Sequence, residues 1–393
     1  MSRDINRTSL KNTFADAEAD FHIVFTYNLF TYYDSAFQLT YKVKLKSLKG
    51  SLVMKAIGFT QHLPITDEHS LENITLPTPT PEGHDLLINV HAVSVNPVDT
   101  GTRGAGHGRL AHPKVIGWDA VGTVAGIGRD VTRFKIGDRV FYAGSYKRSG
   151  SDAEYQLVDE RIVGHAPASL SDPQAAAMPL TSLTAWEALF EKLHIPLHDR
   201  ATNAEHIILI INGSGGVGSV ATQLAHWAGL QVLATASRPD SQKWIKDHGA
   251  DFVLNHRQPL PPQLKAAGFK NVDYILNLSH LDDHWNEIAE MIRPDGWVAA
   301  ITENRRGIDL QKLTKKRATF AWEWMFSKSW YGYDLDSQGH ILDQMAKLLD
   351  DGTIQCTLTK TLQPLNAENL RQAHALVESG HMIGKVVVNG PWA

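Results

Sequence analysis

The stretch Ile207-Ile208-Leu209-Ile210-Ile211-Asn212-Gly213-Ser214-Gly215-Gly216-Val217-Gly218 restricts the fold of this chain more than any other. Five consecutive aliphatic residues predict a strand buried on both faces, and such strands belong to parallel sheets covered by helices on either side. The glycines then turn the chain, and Ser219-Val220-Ala221-Thr222-Gln223-Leu224-Ala225 continues with helical spacing. Each glycine has its own expected use: a tight turn at Gly213, backbone approach to a diphosphate at Gly215 and Gly216, and close helix–strand packing at Gly218. Ser214 and Val217 complete the loop, and the free N–H groups at the helix start offer a seat for the diphosphate. A glycine loop alone is weak evidence. One that leaves a strand, enters a helix and opens a strand–helix–strand unit has the context of a dinucleotide site.

The same alternation runs on. Leu230–Ala234, Val253-Leu254, Tyr274–Leu276 and Trp297–Ile301 read as short buried strands, with helices at Asp240–His248 and Asp283–Met291 between them. This is the pattern of a doubly wound parallel sheet. Asn277-Leu278-Ser279 and Ile301-Thr302-Glu303 end two of these strands where open parallel sheets bind ligands, so Leu278 and Thr302 are expected at the cofactor. The second strand ends in Ser237-Arg238-Pro239, with no carboxylate before Asp240. An acid there would bond the ribose hydroxyls of NAD; a hydroxyl and a guanidinium suit a 2′-phosphate instead, so the expected cofactor is NADPH.

From Met54 to Met178 the pattern is short strands punctuated by Gly and Pro, the signature of a β-rich block. After the parallel sheet come helices at Gln338–Asp350 and Ala367–Glu378 and a strand at Gly384–Val388, elements expected to return to that first block. The resulting division is 54–181 plus 331–393 for a catalytic, substrate-binding domain and 182–330 for the nucleotide domain. Two domains suit a length of 393 residues. The first 53 residues read differently, rich in Phe and Tyr and without glycine before Gly50. Their longest apolar stretch, Phe21–Phe30, is interrupted by His22, Thr26 and Asn28 and falls short of the ~20 residues a membrane span needs. They are either an added edge hairpin or a stretch outside the folded unit, and the strand pattern that begins at Met54 favours the second.

Composition narrows the function. A net charge of −4 is too even for a nucleic-acid binder. Cys356 is the one cysteine, so no intrachain disulfide and no multi-thiolate zinc site can form, and a reducing, cytoplasmic setting is expected.

Gly117-Trp118-Asp119-Ala120-Val121-Gly122, Gly137-Asp138-Arg139-Val140, Pro179-Leu180-Thr181-Ser182-Leu183-Thr184 and the glycine-rich turn stand in the order and spacing of a known superfamily. From Met54 to its end the chain resembles the medium-chain dehydrogenase/reductases. Within them it looks like the zinc-independent quinone oxidoreductase branch, and like proteins named zinc-type alcohol dehydrogenase-like. The resemblance implies an α/β fold with a GroES-like β-rich domain and a Rossmann doubly wound sheet. It further implies Asn96 and Asp99 at the substrate end of the cleft, Thr184 beside the nicotinamide, Lys385 in a segment reaching over the cofactor, and a homodimer paired along the last strand near Phe320–Phe326.

The zinc-dependent members carry Gly-His-Glu where this chain has Gly117-Trp118-Asp119, and a cysteine where it has Val95-Asn96-Pro97-Val98-Asp99. No metal is therefore expected; a substitute ligand set would have to draw on residues such as His107, His112 and Asp119. Without a Lewis acid, oxidation of simple alcohols is disfavoured, whereas a quinone or an α,β-unsaturated carbonyl is already electrophilic. The expected activity is NADPH-dependent reduction of such acceptors, with zinc-dependent alcohol oxidation or non-catalytic NADPH sensing as alternatives. Solvent or one of Tyr142, Tyr146 and Tyr155 is left as proton donor.

Overall fold

The computed structural model describes residues 53–393, so the readings made for residues 1–52 lie outside the described residues. Eight strands come from the first block: β1 (Val53–Gln61), β2 (Glu72–Pro77), β3 (Asp85–Ser94), β4 (Arg109–Lys114), β5 (Ala120–Ile127), β6 (Arg139–Tyr142), β7 (Tyr155–Asp159) and β8 (Val163–His165). In β3 the alternation Leu86, Ile88, Val90, Ala92 is buried on one face, which fixes its register in an antiparallel sheet. Gly122 on β5 lets the two strands close up, since a Cβ there would overlap the Asn89 carbonyl oxygen.

The run of aliphatics at 207–211 forms β9 (Ile207–Ile211), followed by β10 (Gln231–Thr235), β11 (Phe252–Leu254), β12 (Val272–Asn277), β13 (Ile292–Ala300) and β14 (Thr319–Trp322). They make an all-parallel sheet in the order β11-β10-β9-β12-β13-β14. Successive β9 residues enter different cores: Ile208 and Ile210 join the cluster shared with the first block, while Leu209 and Ile211 pack with Trp285 and Ile288. Each such aliphatic side chain contributes roughly 1.5–3 kcal/mol by leaving water, which is why the strand is apolar throughout.

The chain end supplies β15 (Leu358–Leu362) and β16 (Lys385–Asn389). These extend the first sheet in the order β15-β16-β3-β5-β6-β8, with β7 also pairing β3. Val387 faces Ser94 and Val388 faces Val93, so the C-terminus lies against the first block.

Several elements differ from the expected ones. The helix after the glycine-rich turn starts at Gly216 and ends at Ala228, and Leu335–Asp350 begins three residues before the expected helix. An unexpected helix, Pro97–Gly104, follows β3 directly. Asn96 precedes it, Pro97 occupies its first turn and the Asp99 carboxylate accepts the Asn96 N–H at 2.6 Å, the arrangement by which polar residues start helices. The helix Pro179–Trp186 runs on into π-type turns at Glu187–Lys192. β14 stops at Trp322, so only the first half of the aromatic run 320–326 is strand.

Candidate active site

At the glycine-rich turn the left-handed residue is Asn212, at φ 69°, and not Gly213. Gly213 is required for space instead: a Cβ there would lie 2.9 Å from that of Ala234 on β10. At Gly218 a Cβ would overlap the Asn212 carbonyl, which is the expected close packing. Gly215 is different, because its Cβ position has no atom nearer than 3.5 Å. That opening faces the start of the helix Gly216–Ala228, where the N–H groups of Gly216, Val217 and Gly218 precede the first intrahelical bond, made by Ser219 N–H to Gly215 at 2.8 Å. These features fit a dinucleotide diphosphate. At Gly216 a Cβ would press on the Lys385 methylenes at 2.8 Å and on Thr181, so packing also calls for a glycine there.

The C-terminal segment completes this turn. Gly384 donates its N–H to the Ser214 carbonyl at 2.9 Å. Lys385, expected over the cofactor, turns inward: it is 4% exposed and its Nζ lies 3.0 Å from Asp119 Oδ2, with further bonds to the Asn96 side-chain oxygen and the Val95 carbonyl. Its ammonium serves a buried carboxylate, which no other cation among the described residues reaches.

Asn96 and Asp99 belong to the same group. Asn96 Nδ2 donates to Asp119 Oδ2 at 3.1 Å and to the Ser94 carbonyl at 3.4 Å, so its amide is engaged by the protein rather than turned to a substrate. Asp119 also accepts the Leu180 N–H at 3.1 Å. Burial raises the Asp119 carboxyl, against which the Lys385 charge and these bonds act. Burial also pushes Asp99 up to about 7, opposed chiefly by the Asn96 N–H. Asp152, buried against Gly117, is driven well above the usual carboxylate range, first by burial and then by Asp99. Asp119 and Asp152 were missed as members of this group; the Gly117-Trp118-Asp119 motif carried the signal for the first, and nothing in the sequence marked the second.

Trp118 is 1% exposed, donates its indole N–H to the Ser145 carbonyl at 3.3 Å and stacks on Tyr146 at 4.9 Å between ring centroids. Phe326 meets both rings, and Trp324 and Trp330 pack around Tyr146. The Tyr146 hydroxyl lies 3.0 Å from that of Thr102. Tyr142 is different: its hydroxyl is buried with no hydrogen-bond partner among the described residues, and burial alone raises its pKa. Tyr155 packs in a small separate cluster with Met54 and Val115. Thr184 is buried and donates to the Leu180 carbonyl of its own helix at 2.8 Å.

Arg238 follows β10 as expected, with Nε 3.2 Å from Asp240 and Nη2 2.9 Å from the His381 carbonyl. Ser237 is half-buried beside it. At the neighbouring strand ends, Leu278 donates its N–H to Ile211 at 3.2 Å, and Thr302 donates its hydroxyl to the Ser279 carbonyl.

The alcohol dehydrogenase GroES-like domain family matches residues 82–168, and the zinc-binding dehydrogenase family matches residues 248–388. A zinc-type alcohol dehydrogenase-like protein of Staphylococcus aureus (strain MSSA476) is 42% identical over 337 residues, 86% of this chain and 100% of the relative. The chain belongs to the medium-chain dehydrogenase/reductase superfamily. This dehydrogenase/reductase is also similar to human quinone oxidoreductase, 36% identical over 203 residues, covering 51% of this chain and 59% of that protein. Among solved structures, a Rhizobium etli CFN 42 protein assigned by name to the zinc-dependent alcohol dehydrogenases is 46% identical, with a TM-score of 0.82 over 87% of this chain and 99% of that one. The Escherichia coli quinone oxidoreductase solved with NADPH is 21% identical and shares the fold, with a TM-score of 0.72 over 85% and 99% of the two chains.

These names invoke zinc, and the residues of this dehydrogenase/reductase do not fit it. Among the described residues no three His, Cys, Asp or Glu side chains converge as a metal-holding group. Trp118 is buried and offers no metal-binding atom, and Asp119 is committed to Lys385. His107 and His112 are exposed on or beside β4, whereas Asp119 is fully buried, so the substitute set does not assemble. No described helix is long and apolar enough to cross a membrane.

Proposed function

We propose that this oxidoreductase uses NADPH to reduce quinones or activated α,β-unsaturated carbonyls without zinc. The observation that carries the proposal is the stack of Trp118 on Tyr146, an aromatic wall at the residue that the sequence resemblance aligns with the zinc enzymes' imidazole. Flat conjugated acceptors gain from aromatic faces by offset stacking, and they are electrophilic enough to need no Lewis acid.

NADPH, when bound, supplies the hydride. The protein's share is alignment and polarity. The N–H groups of Gly216, Val217 and Gly218 hold the diphosphate, Gly215 leaves room for it, and Arg238 with Ser237 receives the 2′-phosphate. Tyr146 and the exposed Trp324, backed by the buried Trp118 and Phe326, orient the acceptor, and the Tyr146 hydroxyl, backed by Thr102, donates a hydrogen bond to the oxygen on which negative charge develops. Asp119, Asn96 and Lys385 hold the floor of the site in one arrangement.

The test is NADPH oxidation across a panel of quinones, enones and simple alcohols, with metal analysis of the purified protein. Turnover on the first two classes at substoichiometric zinc supports the proposal. Stoichiometric zinc with alcohol oxidation restores the alternative enzyme, and tight NADPH binding without turnover on any acceptor indicates a sensor.

A further inference from the structure

A second pair of acids lies away from the dinucleotide turn, beneath the aromatic wall. Glu187 opens the π-type turns that follow the helix of Thr184, and Glu323 follows β14 directly. Each is 2% exposed. No N–H or O–H group among the described residues reaches either carboxyl oxygen of Glu323. Glu187 belongs to the same buried cluster: Gln338 donates both to Glu187 and to the carbonyl of Met325, two residues beyond Glu323, and the Glu187 carboxyl is among the groups that raise Glu323. Two ionised carboxylates in such a cluster repel out of water, and one proton between them removes that repulsion. Burial, reinforced by Glu187, pushes Glu323 up to about 10. The nearby cations do not remove the need: Lys328 Nζ is 3.6 Å from Glu187 but 2.8 Å from Glu191 and 3.2 Å from Asp334, and Lys192 only partly offsets the acids around Glu323.

The pair is mechanically tied to the wall. Gln338 Nε2 donates to Glu187 Oε1 at 2.9 Å and to the Met325 carbonyl at 2.6 Å, and Met325 lies between Trp324 and Phe326. Phe326 in turn packs edge-on against Trp118, with centroids 5.9 Å apart. Glu187 is the first residue of the π-type turn, and such turns recur at functional sites.

We propose that Glu187 and Glu323 share a proton in a hydrogen bond that holds Trp324 and Phe326 in the acceptor-binding wall, which makes Glu323 a positioning residue. The role as acceptor wall rests on the function proposed above; the shared proton does not. Infrared difference spectra of wild type against Glu323→Gln at neutral pH should show a deuterium-sensitive C=O stretch of a buried carboxylic acid, and its absence overturns the proposal. Near-ultraviolet circular dichroism should show loss of aromatic signal in Glu323→Ala and its return in Glu323→Gln, whose amide donates to Glu187. An unchanged signal in Glu323→Ala, or no return in Glu323→Gln, is evidence against it. With a naphthoquinone, Glu323→Ala should raise KM about tenfold while NADPH binding is unchanged, and Glu323→Gln should reverse most of that rise. An equal loss of NADPH affinity would mark a general structural role. If wild type reduces no acceptor, the function reading fails while the infrared and dichroism results still decide the shared proton.

Discussion

Asp119 depends on a single ammonium 3.0 Å away for the stability of its buried charge. Lys385→Met should therefore cost about 3–5 kcal/mol in urea unfolding, because it leaves a carboxylate without its cation, and adding Asp119→Asn should restore much of the loss. Asp99 makes a pH prediction. Its folded pKa, pushed up to about 7, exceeds the unfolded value, so its contribution is complete below the unfolded pKa and is lost as pH rises towards 7. Asp99→Asn keeps an acceptor for the Asn96 N–H; its melting temperature relative to wild type should rise between about pH 5 and pH 8, and a flat difference would refute the assignment. Arg238→Ala should raise KM for NADPH far more than for NADH; equal effects would remove Arg238 from 2′-phosphate recognition. Arg238 was legible because its place is set by local register after β10. The Lys385–Asp119 pair was not, since its partners are 266 residues apart and only the tertiary fold brings them together.

Elements whose evidence lies in a few neighbouring residues were read correctly. β9, its turn and the following helix are visible as an aliphatic run, a cluster of glycines and a helical spacing. The helix Pro97–Gly104 was also written locally, in Asn96, Pro97 and Asp99, but the strand pattern around it hid the signal. The π-type turns at Glu187–Lys192 had no sequence mark, and the Gln338 amide that bonds Glu187 at their start is 151 residues away. The turn separates two glycine roles in one experiment. Gly218→Ala should unsettle the turn and lower the melting temperature, whereas Gly215→Ala should keep it and weaken NADPH binding at least about tenfold, because the space at Gly215 belongs to the ligand. Equal effects on stability would contradict that division.

The described chain, Val53–Ala393, forms one compact unit in which β16 serves the antiparallel sheet while the residue before it bonds to the dinucleotide turn. We propose that two copies pair along β14, the edge of the parallel sheet, where Trp322 is 46% exposed. Light scattering should give the mass of two chains, and Trp322→Asp should give one; a wild-type monomer would rule the pairing out. Synthesis runs from the N-terminus, so Asp119 and the glycine-rich turn leave the ribosome long before Lys385 and Gly384. The nascent chain can form most of both sheets, yet the carboxylate stays uncompensated and the Ser214 carbonyl stays open until Gly384 and Lys385 emerge. A chain cut just before Gly384 would therefore keep most of both sheets and leave the cofactor turn unfinished and Asp119 without its cation.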